Sequence, residues 1–336
     1  MSARRGWEQV SAAICCRLMG VAVVAALVCT GASPSGAANA AEERPPASGA
    51  RSAIVVDAAT GAVLYERSAR DEYAPASLTK MVTALVAVER ASLDRKVRAA
   101  RSYAVVPVLI GLEPGDELSL EDAISGLLIE SGNDVAMAIA EAVADGSSER
   151  FVGWMNELSG RLGLKNSRFK NPHGLDQEGH VSSAYDMAII GRTLMRHPVL
   201  ARIVGESRHE VEGPPRWVFR TRNPLLGRYP GVDGIKTGFD DLAGLCLVAT
   251  AVRGDRRAIA VVMNSPRYGD DAASLLDYAF EDRRWGVTRE TRASAPRTGG
   301  RLAMLRADLT STQDGSPSSV TRAGRLLRSP DARSGP

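Results

Sequence analysis

A hydroxyl and an amine lie three residues apart in the stretch Pro75-Ala76-Ser77-Leu78-Thr79-Lys80. Apolar residues recur at helical spacing after it, so the sequence predicts a helix that begins near Ser77. Residues three apart on a helix share one face, which would bring the Ser77 hydroxyl close to the Lys80 amine. A serine hydroxyl is a weak nucleophile until a base takes its proton, and a lysine can be that base when burial or a nearby cation lowers its pKa. The stretch therefore indicates a candidate serine nucleophile with a lysine base.

The spacing alone is weak evidence, because a second Ser-x-x-Lys pattern occurs at Ser167 and Lys170. Asn171-Pro172 follows that lysine directly, and this pair of residues predicts a turn rather than a helix. The plain structural interpretation of Ser77 is a serine near a helix N-cap with an exposed lysine nearby. The surrounding sequence has to distinguish the two interpretations.

Length and composition are those of a globular protein. The chain has 336 residues, of which 44% are hydrophobic and 24% charged, and its formal net charge is +3. Such a chain can form one large domain or two ordinary ones, and so small a charge gives no support to nucleic-acid binding. Only five of the basic residues are lysines, and Lys80 is one of them. Because arginine cannot act as a base, a lysine within a motif is informative here.

The cysteines and histidines predict neither a disulfide framework nor a metal site. Cys246 lies in an apolar run, where we expect a small buried side chain. His209-Glu210 lacks the second histidine of a zinc-binding H-E-x-x-H motif. His173 could belong to a Ser-His-Asp triad, but the chain has no G-x-S-x-G nucleophile elbow, so we expect this histidine to order its loop. No metal and no cofactor are expected.

Residues 1–41 have the pattern of an export signal. Arginines precede an apolar core at residues 18–29, and Ala38-Asn39-Ala40 matches an A-x-A cleavage site. The core of about 12 residues is shorter than the ~20 that a membrane-spanning helix needs, although an uncleaved signal anchor is an alternative. Residues 42–51 are polar and proline-rich, which predicts a linker.

Residues 52–285 are predicted to form the folded domain. Two short strands flank a turn at residues 58–61, and amphipathic helices that begin near Ser119 and Ser183 follow. Three more strand candidates lie near the end of the region, at residues 232–238, 245–252 and 258–264. Strands at both ends of a helical block predict an α+β fold with one antiparallel sheet of about five strands.

Residues 286–336 differ in composition from the folded region. This tail is rich in Arg, Ser, Gly, Thr and Pro, and from residue 287 onward it carries nine arginines against four acidic residues. Such a segment cannot bury enough apolar surface to fold, so we predict a disordered tail. A basic tail could also make peripheral contact with an anionic membrane surface.

A second candidate motif, Ser131-Gly132-Asn133, lies between two predicted helices, where its side chains can project into a cleft. A second serine beside a lysine can pass a proton to a leaving amine. An asparagine can both donate to and accept from a peptide-like substrate. Alone, this pattern is a common turn or helix cap.

The third motif, Lys236-Thr237-Gly238, lies at the end of the first strand in the C-terminal group. Lysine and threonine on an edge strand can bind a carboxylate, and a glycine lets another chain approach the backbone. Lys236 would also supply the nearby cation that lowers the pKa of Lys80. Alone, this pattern is equally weak.

Together the three motifs occur in the order found in penicillin-binding proteins and serine β-lactamases. Over residues 52–285 the chain resembles the low-molecular-mass D-alanyl-D-alanine carboxypeptidases, a peptidase S11-like family. Four stretches add to the resemblance of Pro75 to Met81: Ile129-Glu130-Ser131-Gly132-Asn133-Asp134, Asn171-Pro172-His173-Gly174-Leu175-Asp176, Ser182-Ser183-Ala184-Tyr185-Asp186-Met187-Ala188 and Val232-Asp233-Gly234-Ile235-Lys236-Thr237-Gly238. The resemblance implies a β-lactamase/transpeptidase-like fold.

The resemblance also implies a peptidase mechanism. Ser77 would attack the carbonyl between the two terminal D-alanines of a peptidoglycan stem peptide, and Lys80 would accept its proton. Backbone N–H groups of Ser77 and Phe239 would form the oxyanion hole. Ser131 would help to protonate the departing D-alanine, and β-lactams would acylate Ser77 by the same route.

The remaining site residues would hold the substrate. Asn133 would bind a substrate amide, Lys236 and Thr237 the terminal carboxylate, and Gly238 would let the substrate add to the strand. Substrates of this family lie outside the cytoplasm. The export signal is consistent with a place in the periplasm, or at the outer face of the cytoplasmic membrane or cell wall.

Other functions on the same scaffold have to be considered. A peptidoglycan D,D-endopeptidase and a non-catalytic wall-binding protein stay open, although three intact motifs argue against the second. A class A β-lactamase is disfavoured, because the second motif is not Ser-Asp-Asn and no E-x-x-L-N stretch supplies a deacylating glutamate. Larger members of the family carry a second β-rich domain and an amphipathic C-terminal anchor, and neither is evident in this sequence.

Overall fold

The computed structural model describes Pro46 and residues 49–103, 107–213 and 215–281. The predicted export signal, six of the ten residues of the predicted linker and the predicted tail fall outside these residues, so those assignments stay predictions. Among the residues that are described, no helix is long and apolar enough to cross a membrane.

The described residues form nine strands and seven α-helices. The strands are β1 (Ser52–Asp57), β2 (Val63–Arg67), β3 (Lys96–Arg98), β4 (Glu117–Ser119), β5 (Arg208–Val211), β6 (Trp217–Arg220), β7 (Val232–Asp240), β8 (Gly244–Arg253) and β9 (Arg256–Met263). The helices are α1 (Lys80–Arg90), α2 (Leu120–Ser125), α3 (Asn133–Val143), α4 (Ser148–Leu162), α5 (Ala184–Leu194), α6 (Pro198–Val204) and α7 (Tyr268–Glu281).

One antiparallel sheet is formed by both ends of the folded region. Its strands lie in the spatial order β2, β1, β9, β8, β7, which confirms the predicted five-stranded sheet. The predicted turn between β1 and β2 is held by Asp57, whose carboxylate accepts hydrogen bonds from the Ala59 N–H and the Thr60 hydroxyl. β7 is an edge strand, as expected for the strand that carries the third motif.

Both faces of this sheet are covered. Along β1, Ile54 and Val56 belong to the larger core with the helical block, whereas Ala53 and Val55 belong to a smaller core with α7. The division follows from the alternation of side chains along a strand. Full burial of an aliphatic side chain contributes about 1.5–3 kcal/mol, so a strand buried on both faces is a rigid support. The third motif, on β7, is built on that support.

Two predicted helix caps are present in the structure. The Ser119 side chain accepts a hydrogen bond from the Asp122 N–H at the start of α2, and Ser183 does the same for the Asp186 N–H at the start of α5. Each cap satisfies a backbone donor that the first helical turn leaves without a partner. The polar residues before these apolar runs were therefore correct signals of helix starts.

Three boundaries differ from the expectations. α3 begins at Asn133, so the loop before it is shorter than predicted; the acidic Asp134 in its first turn favours this early start. The sequence does not predict α6, because His197-Pro198 suggests a helix end, yet proline also fits the first turn of a new helix. Lys236-Thr237-Gly238 lies in the middle of β7 rather than at its end.

Candidate active site

The turn that carries Ser77 forms the first half of the site. A 3-10 turn at Ala76–Thr79 leads directly into α1, and Lys80 is the first residue of that helix. The Lys80 Nζ lies 2.8 Å from the Ser77 Oγ. Ala76 has a φ of 47°, in the left-handed region that residues with a Cβ seldom adopt. The two side chains of the first motif are therefore brought together by a tight, irregular turn.

The Lys80 amine is enclosed by oxygen acceptors. Its side chain is fully buried, and Nζ donates to the Asn133 Oδ1 and the His173 carbonyl oxygen, both at 2.6 Å. Burial holds the pKa of Lys80 well below its usual range, and the cation of Lys236 lowers it further. A neutral amine has two hydrogens and one lone pair. With both hydrogens directed at oxygens, the lone pair is left for the Ser77 hydroxyl.

Ser131 and Lys236 form the opposite side of the site. The buried Lys236 Nζ donates to the Ser131 Oγ at 2.9 Å and to the Thr237 carbonyl oxygen at 3.0 Å. Ser131 ends a π-helical turn at Gly126–Glu130 and has a φ of 74°. A non-glycine residue in this conformation is held there by its surroundings, a frequent feature of functional sites. The second motif thus meets the third across the cleft.

Arg222 is a further cation at the cleft. Its Nε and Nη2 donate to the carbonyl oxygen and the Oε1 of Glu130, at 2.7 and 2.9 Å. Burial, followed by the charge of Arg222, lowers the pKa of Lys236 to about 7, while Glu130 opposes the shift. No motif predicts this arginine, which lies 14 residues before Lys236 in an irregular segment.

The cleft between these groups has a volume of about 240 Å³. Its polar lining comes from Ser77, Ser131, Arg222 and Thr237. Apolar walls complete it and are formed by Pro107, Val108, Phe239, Leu245 and Tyr268. The arrangement can hold a small anionic group near the cations while apolar side chains pack beside it.

Two glycines allow the close packing of the site. A Cβ on Gly238 would lie 3.2 Å from the Pro75 carbonyl oxygen and 3.3 Å from the Ala76 Cβ, so the absence of a side chain at Gly238 leaves space for the Ser77 turn. Gly174 has a φ of 94°, and a Cβ there would lie only 2.0 Å from the Ala76 carbonyl oxygen. Only glycine fits at that position.

Backbone groups and a buried carboxylate contribute to the site, although no motif predicts them. The Asp134 carboxylate accepts from the N–H groups of Ile110, Gly111 and Leu112 at 2.9–3.0 Å. It thereby anchors the loop that leads to the apolar wall of the cleft. The His173 carbonyl is the other such group. A carbonyl carries no residue identity, so only the resemblance of the stretch that begins at Asn171 marked this segment.

The His173 side chain orders its own loop. Its Nδ1 accepts from the Leu175 N–H at 3.1 Å. Burial is the main cause that lowers the pKa of this imidazole to about 3. The ring is therefore neutral and engaged locally, in agreement with the expectation that His173 is not part of a triad.

The second Ser-x-x-Lys pattern has different surroundings. The Ser167 Oγ forms hydrogen bonds with the Ser182 Oγ and the Asp186 Oδ2, both at 2.8 Å. Lys170 is exposed. These contacts tie a loop to the start of α5 and give the serine no basic partner.

The remaining candidates lie outside the cleft. Cys246 is fully buried with its thiol near backbone carbonyls, which confirms its expected place as a small core side chain. His209 contacts Asp122 and Glu206. Within the described part of the chain, no group of three or more His, Cys, Asp or Glu side chains is arranged to hold a metal ion.

Sequence comparison finds relatives of this chain. The model of a family described as D-alanyl-D-alanine carboxypeptidase matches residues 39–267. The D-alanyl-D-alanine carboxypeptidase DacF of Bacillus subtilis is 40% identical over 243 residues, which represent 69% of this chain and 62% of the relative. The chain thus spans about three fifths of the length of that relative.

Two solved structures are similar in both fold and sequence. Penicillin binding protein 6B from Escherichia coli is 34% identical with a TM-score of 0.66, over 71% of this chain and 80% of that one. A mutant of the Streptomyces K15 DD-transpeptidase is 28% identical with a TM-score of 0.68, over 70% of this chain and 99% of that one. The predicted fold class is confirmed. Since the family match covers more than half of the chain, the protein belongs to the D-alanyl-D-alanine carboxypeptidase family of serine peptidases.

Proposed function

We propose that this chain is a serine D,D-carboxypeptidase that removes the terminal D-alanine from peptidoglycan stem peptides through an acyl-enzyme on Ser77. The observation that carries the proposal is the environment of the Lys80 amine. This amine is buried, lies 2.8 Å from the Ser77 Oγ, and donates to two oxygens at 2.6 Å. A neutral amine held in this way can take the proton that makes Ser77 a nucleophile.

The first step is acylation. The Ser77 Oγ bonds to the carbonyl carbon between the two D-alanines, and its proton passes to the Lys80 Nζ. The oxyanion that develops lies against the backbone N–H groups of Ser77 and Phe239. One such donor contributes about 3–4 kcal/mol to transition-state stabilisation.

The second step releases D-alanine. The C–N bond breaks, and the departing nitrogen must gain a proton. The Ser131 Oγ already accepts a hydrogen bond from Lys236 at 2.9 Å, so its own proton can be directed to the leaving group. The proton held by Lys80 then replaces the one that Ser131 gives up, which requires these two side chains to approach each other during the reaction, since Ser131 is bonded to Lys236 in the resting structure. This relay returns Lys80 to its neutral form.

Substrate binding follows from the remaining contacts. The Asn133 Oδ1 is occupied by Lys80, so only the amide NH₂ of Asn133 is left for the substrate. Asn133 is therefore a donor to a substrate carbonyl rather than a partner in both directions. Lys236, Thr237 and Arg222 offer the donors and positive charge that a terminal carboxylate requires.

Hydrolysis completes the cycle. Water attacks the acyl carbonyl, Lys80 again serves as the base, and Ser77 leaves with a proton. A β-lactam presents a similar carbonyl and carboxylate, but its leaving nitrogen stays attached to the acyl group. We therefore expect β-lactams to acylate Ser77 and to be released slowly.

The proposal extends to domain organisation and location. Residues 52–285 form the catalytic domain, an assignment supported by the family match over residues 39–267. Residues 1–41 direct export, which is required if stem peptides outside the cytoplasm are the substrate. Residues 42–51 are the linker and residues 286–336 the basic tail.

Labelling with a fluorescent penicillin tests the acyl-enzyme. The wild-type protein is expected to become covalently labelled, and Ser77→Ala is expected to abolish the label because the attacking oxygen is lost. Ser167→Ala is the matched control and should label like the wild type. An unlabelled wild-type protein would contradict catalysis and leave a non-catalytic wall-binding protein as the better account.

Peptide substrates test the type of bond that is cleaved. Incubation with a stem pentapeptide should release free D-alanine, and Ser77→Ala should not. A cross-linked stem-peptide dimer provides the comparison. Cleavage of the dimer without release of D-alanine from the pentapeptide would favour a D,D-endopeptidase instead.

One comparison favours an amine, in addition to water, as an acceptor of the acyl group. The chain matches 99% of a structure named as a DD-transpeptidase. An acyl-enzyme can react with an amine instead of water, which would transfer the peptide rather than hydrolyse it. Addition of an amino-acid acceptor to the pentapeptide assay distinguishes the two outcomes, because a transfer product has a different mass from the hydrolysed tetrapeptide.

A further inference from the structure

His180 lies buried between the Ser77 turn and a neighbouring loop. It is 3% exposed, its Nδ1 lies 3.1 Å from the Lys170 N, and its Nε2 lies 2.8 Å from the Thr79 Oγ1. A backbone N–H can only donate, so Nδ1 is the acceptor. The hydrogen of the neutral ring is then on Nε2, which donates to Thr79.

The surroundings of His180 keep the ring neutral. Burial lowers its pKa to about 4, and the positive charge of Lys170 adds to the effect. Phe169 packs edge-on against the ring, with centroids 5.7 Å apart. The two hydrogen bonds therefore persist through the neutral pH range, and each depends on a different ring nitrogen.

The loop held by His180 reaches the catalytic turn at three hydrogen bonds. Thr79 contacts the His180 ring, Lys80 donates to the His173 carbonyl at 2.6 Å, and the Thr83 hydroxyl donates to the Pro172 carbonyl at 2.6 Å. All three partners on the turn lie within one short span of α1 and the residue before it. The position of the His173 carbonyl therefore depends on how this loop is held against Thr79 and α1.

The base of the loop is closed by the same histidine. The His180 ring bridges the Lys170 N–H, at the start of the loop, to Thr79 on the turn. Backbone hydrogen bonds between Arg168 and Val181 hold the segments just outside it, at 2.9 and 3.0 Å. The ring therefore connects the base of the loop to the Ser77 turn through one hydrogen bond at each nitrogen.

We propose that His180 is a positioning residue, which fixes the loop of residues 170–180 to Thr79 and so keeps the His173 carbonyl on the Lys80 amine. This inference rests on the proposed function, because it concerns the base of the same site. If the link is lost, the carbonyl can move away and water can reach the amine. The charged groups that face Lys80 stay in place, namely Lys236, Arg222 and Asp134.

The direction of the resulting pH effect can be worked out. Acylation requires neutral Lys80, so its rate rises with pH through the Lys80 pKa. Burial is the largest cause that lowers this pKa. Access of water therefore raises it, and the rising limb of the acylation rate moves to higher pH. A purely structural role of His180 would lower the melting temperature without moving that limb.

Two amide variants separate the two ring nitrogens. The side-chain NH₂ of His180→Gln can reach the position of Nε2 and keep the bond to Thr79, whereas the oxygen of His180→Asn replaces only Nδ1. We expect the acylation rate with a fluorescent penicillin to stay within about threefold for Gln and to fall about tenfold for Asn, from the range of one hydrogen bond. The rising limb of the acylation rate should move to higher pH in His180→Asn alone.

Thr79→Val tests the same link from its other end. It should reproduce the slower acylation and the shifted limb of His180→Asn, and the double variant should add little, since both remove one interaction. If His180→Asn does not fold, Thr79→Val decides. His209→Asn is the matched control, because that ring also uses both nitrogens, but its hydrogen-bond partners are Glu206 and Asp122 rather than the Ser77 turn. It should leave the limb in place.

The outcomes separate the two proposals. A labelled wild type together with an unshifted limb and unchanged acylation in His180→Asn and Thr79→Val would overturn the positioning proposal and leave the proposed function standing. Equal losses in His180→Gln and His180→Asn would also overturn it. An unlabelled wild type would overturn both proposals.

Discussion

The turn at Ser77 and the loop at Ser167 both have a lysine three residues after a serine, and they differ in what surrounds the pair. At the first, Lys80 is buried, and its amine lies between the Ser77 Oγ and two neutral oxygens. At the second, the serine donates to a carboxylate, Asp186, and Lys170 is exposed to solvent. Neutral acceptors and burial favour an uncharged amine, whereas water keeps a lysine charged.

The carboxylate of Asp134 shows how the first site keeps its lysine uncharged. Asp134 acts against the lowered pKa of Lys80. Its oxygens, however, accept hydrogen bonds from four backbone N–H groups, those of Ile110, Gly111, Leu112 and Val135. The carboxylate is therefore satisfied by the backbone and forms no ion pair with Lys80. The comparison indicates that the acceptors around the lysine, more than the spacing, decide its chemistry.

The largest expected effect comes from removal of Lys80, and removal of Lys170 is its matched control. Lys80→Met should lower the acylation rate with a fluorescent penicillin by about 10²–10⁴-fold, the range typical of a general base. Lys170→Met should leave the rate unchanged. Stopped-flow or time-resolved labelling gives both rates. Similar losses in the two variants would remove the distinction between the patterns.

A carboxylate placed beside Lys80 should make the first site more like the second. Asn133→Asp puts an anion where a neutral oxygen lies 2.6 Å from the Lys80 amine. An opposite charge at this range raises a lysine pKa by about 1–3 units. The rising limb of acylation should move to higher pH by a similar amount.

Asn133→Ala is the control for that experiment, because it also removes the substrate donor but adds no charge. Both variants should bind substrate more weakly. Only Asn133→Asp should move the limb by the larger amount. Equal pH profiles for the two would show that the neutrality of the acceptors around Lys80 is unimportant.

Lys236 provides a smaller effect that depends on pH. Burial lowers its pKa to about 7, so the free enzyme loses this cation as pH rises through that value. The value of kcat/KM for a peptide with a terminal carboxylate should therefore fall on the alkaline side. In Lys236→Arg the charge persists, and this fall should be absent even if overall activity is lower. If the fall at alkaline pH were unchanged in Lys236→Arg, deprotonation of another group would have to cause it.

Prediction of the fold succeeded where side-chain patterns carry the information. The apolar run of β1 and the turn at residues 58–61 are visible in the sequence, and so are the serine caps of α2 and α5. α6 was missed because Pro198 has the same appearance after a helix and at the start of one. The start of α3 was misplaced because Asn133 can lie either in a loop or in a first helical turn.

The sequence indicated candidate side chains for the site but not the backbone carbonyl and the arginine that lie beside them. The residue types of the three motifs indicate which side chains can do chemistry. The His173 carbonyl cannot be predicted in this way, because every residue has one. Arg222 belongs to no motif and reaches the cleft only through the folded chain. Gly238 is approached closely by the Ser77 turn, a contact that its motif does not reveal, and its role towards a substrate stays a prediction.

The smallest expected effect concerns stability. Ser167→Ala removes two hydrogen bonds, to Ser182 and Asp186, and should lower the free energy of unfolding by about 1–2 kcal/mol. Its penicillin labelling should not change. Denaturant unfolding and labelling of the same sample give both values. A loss of labelling in this variant, with the fold intact, would show that the second pattern contributes to the site.

The charge state of Lys80 in the resting protein is the most direct test. The chain has only five lysines, so selective ¹³C labelling at Cε gives a spectrum in which Lys80→Arg and Lys236→Arg assign the two cleft residues. The Lys80 resonance is expected to have the chemical shift of a neutral amine at neutral pH and to reach the charged value only on acidification. A Lys80 amine that is fully charged at neutral pH would contradict the account of Ser77 and its base.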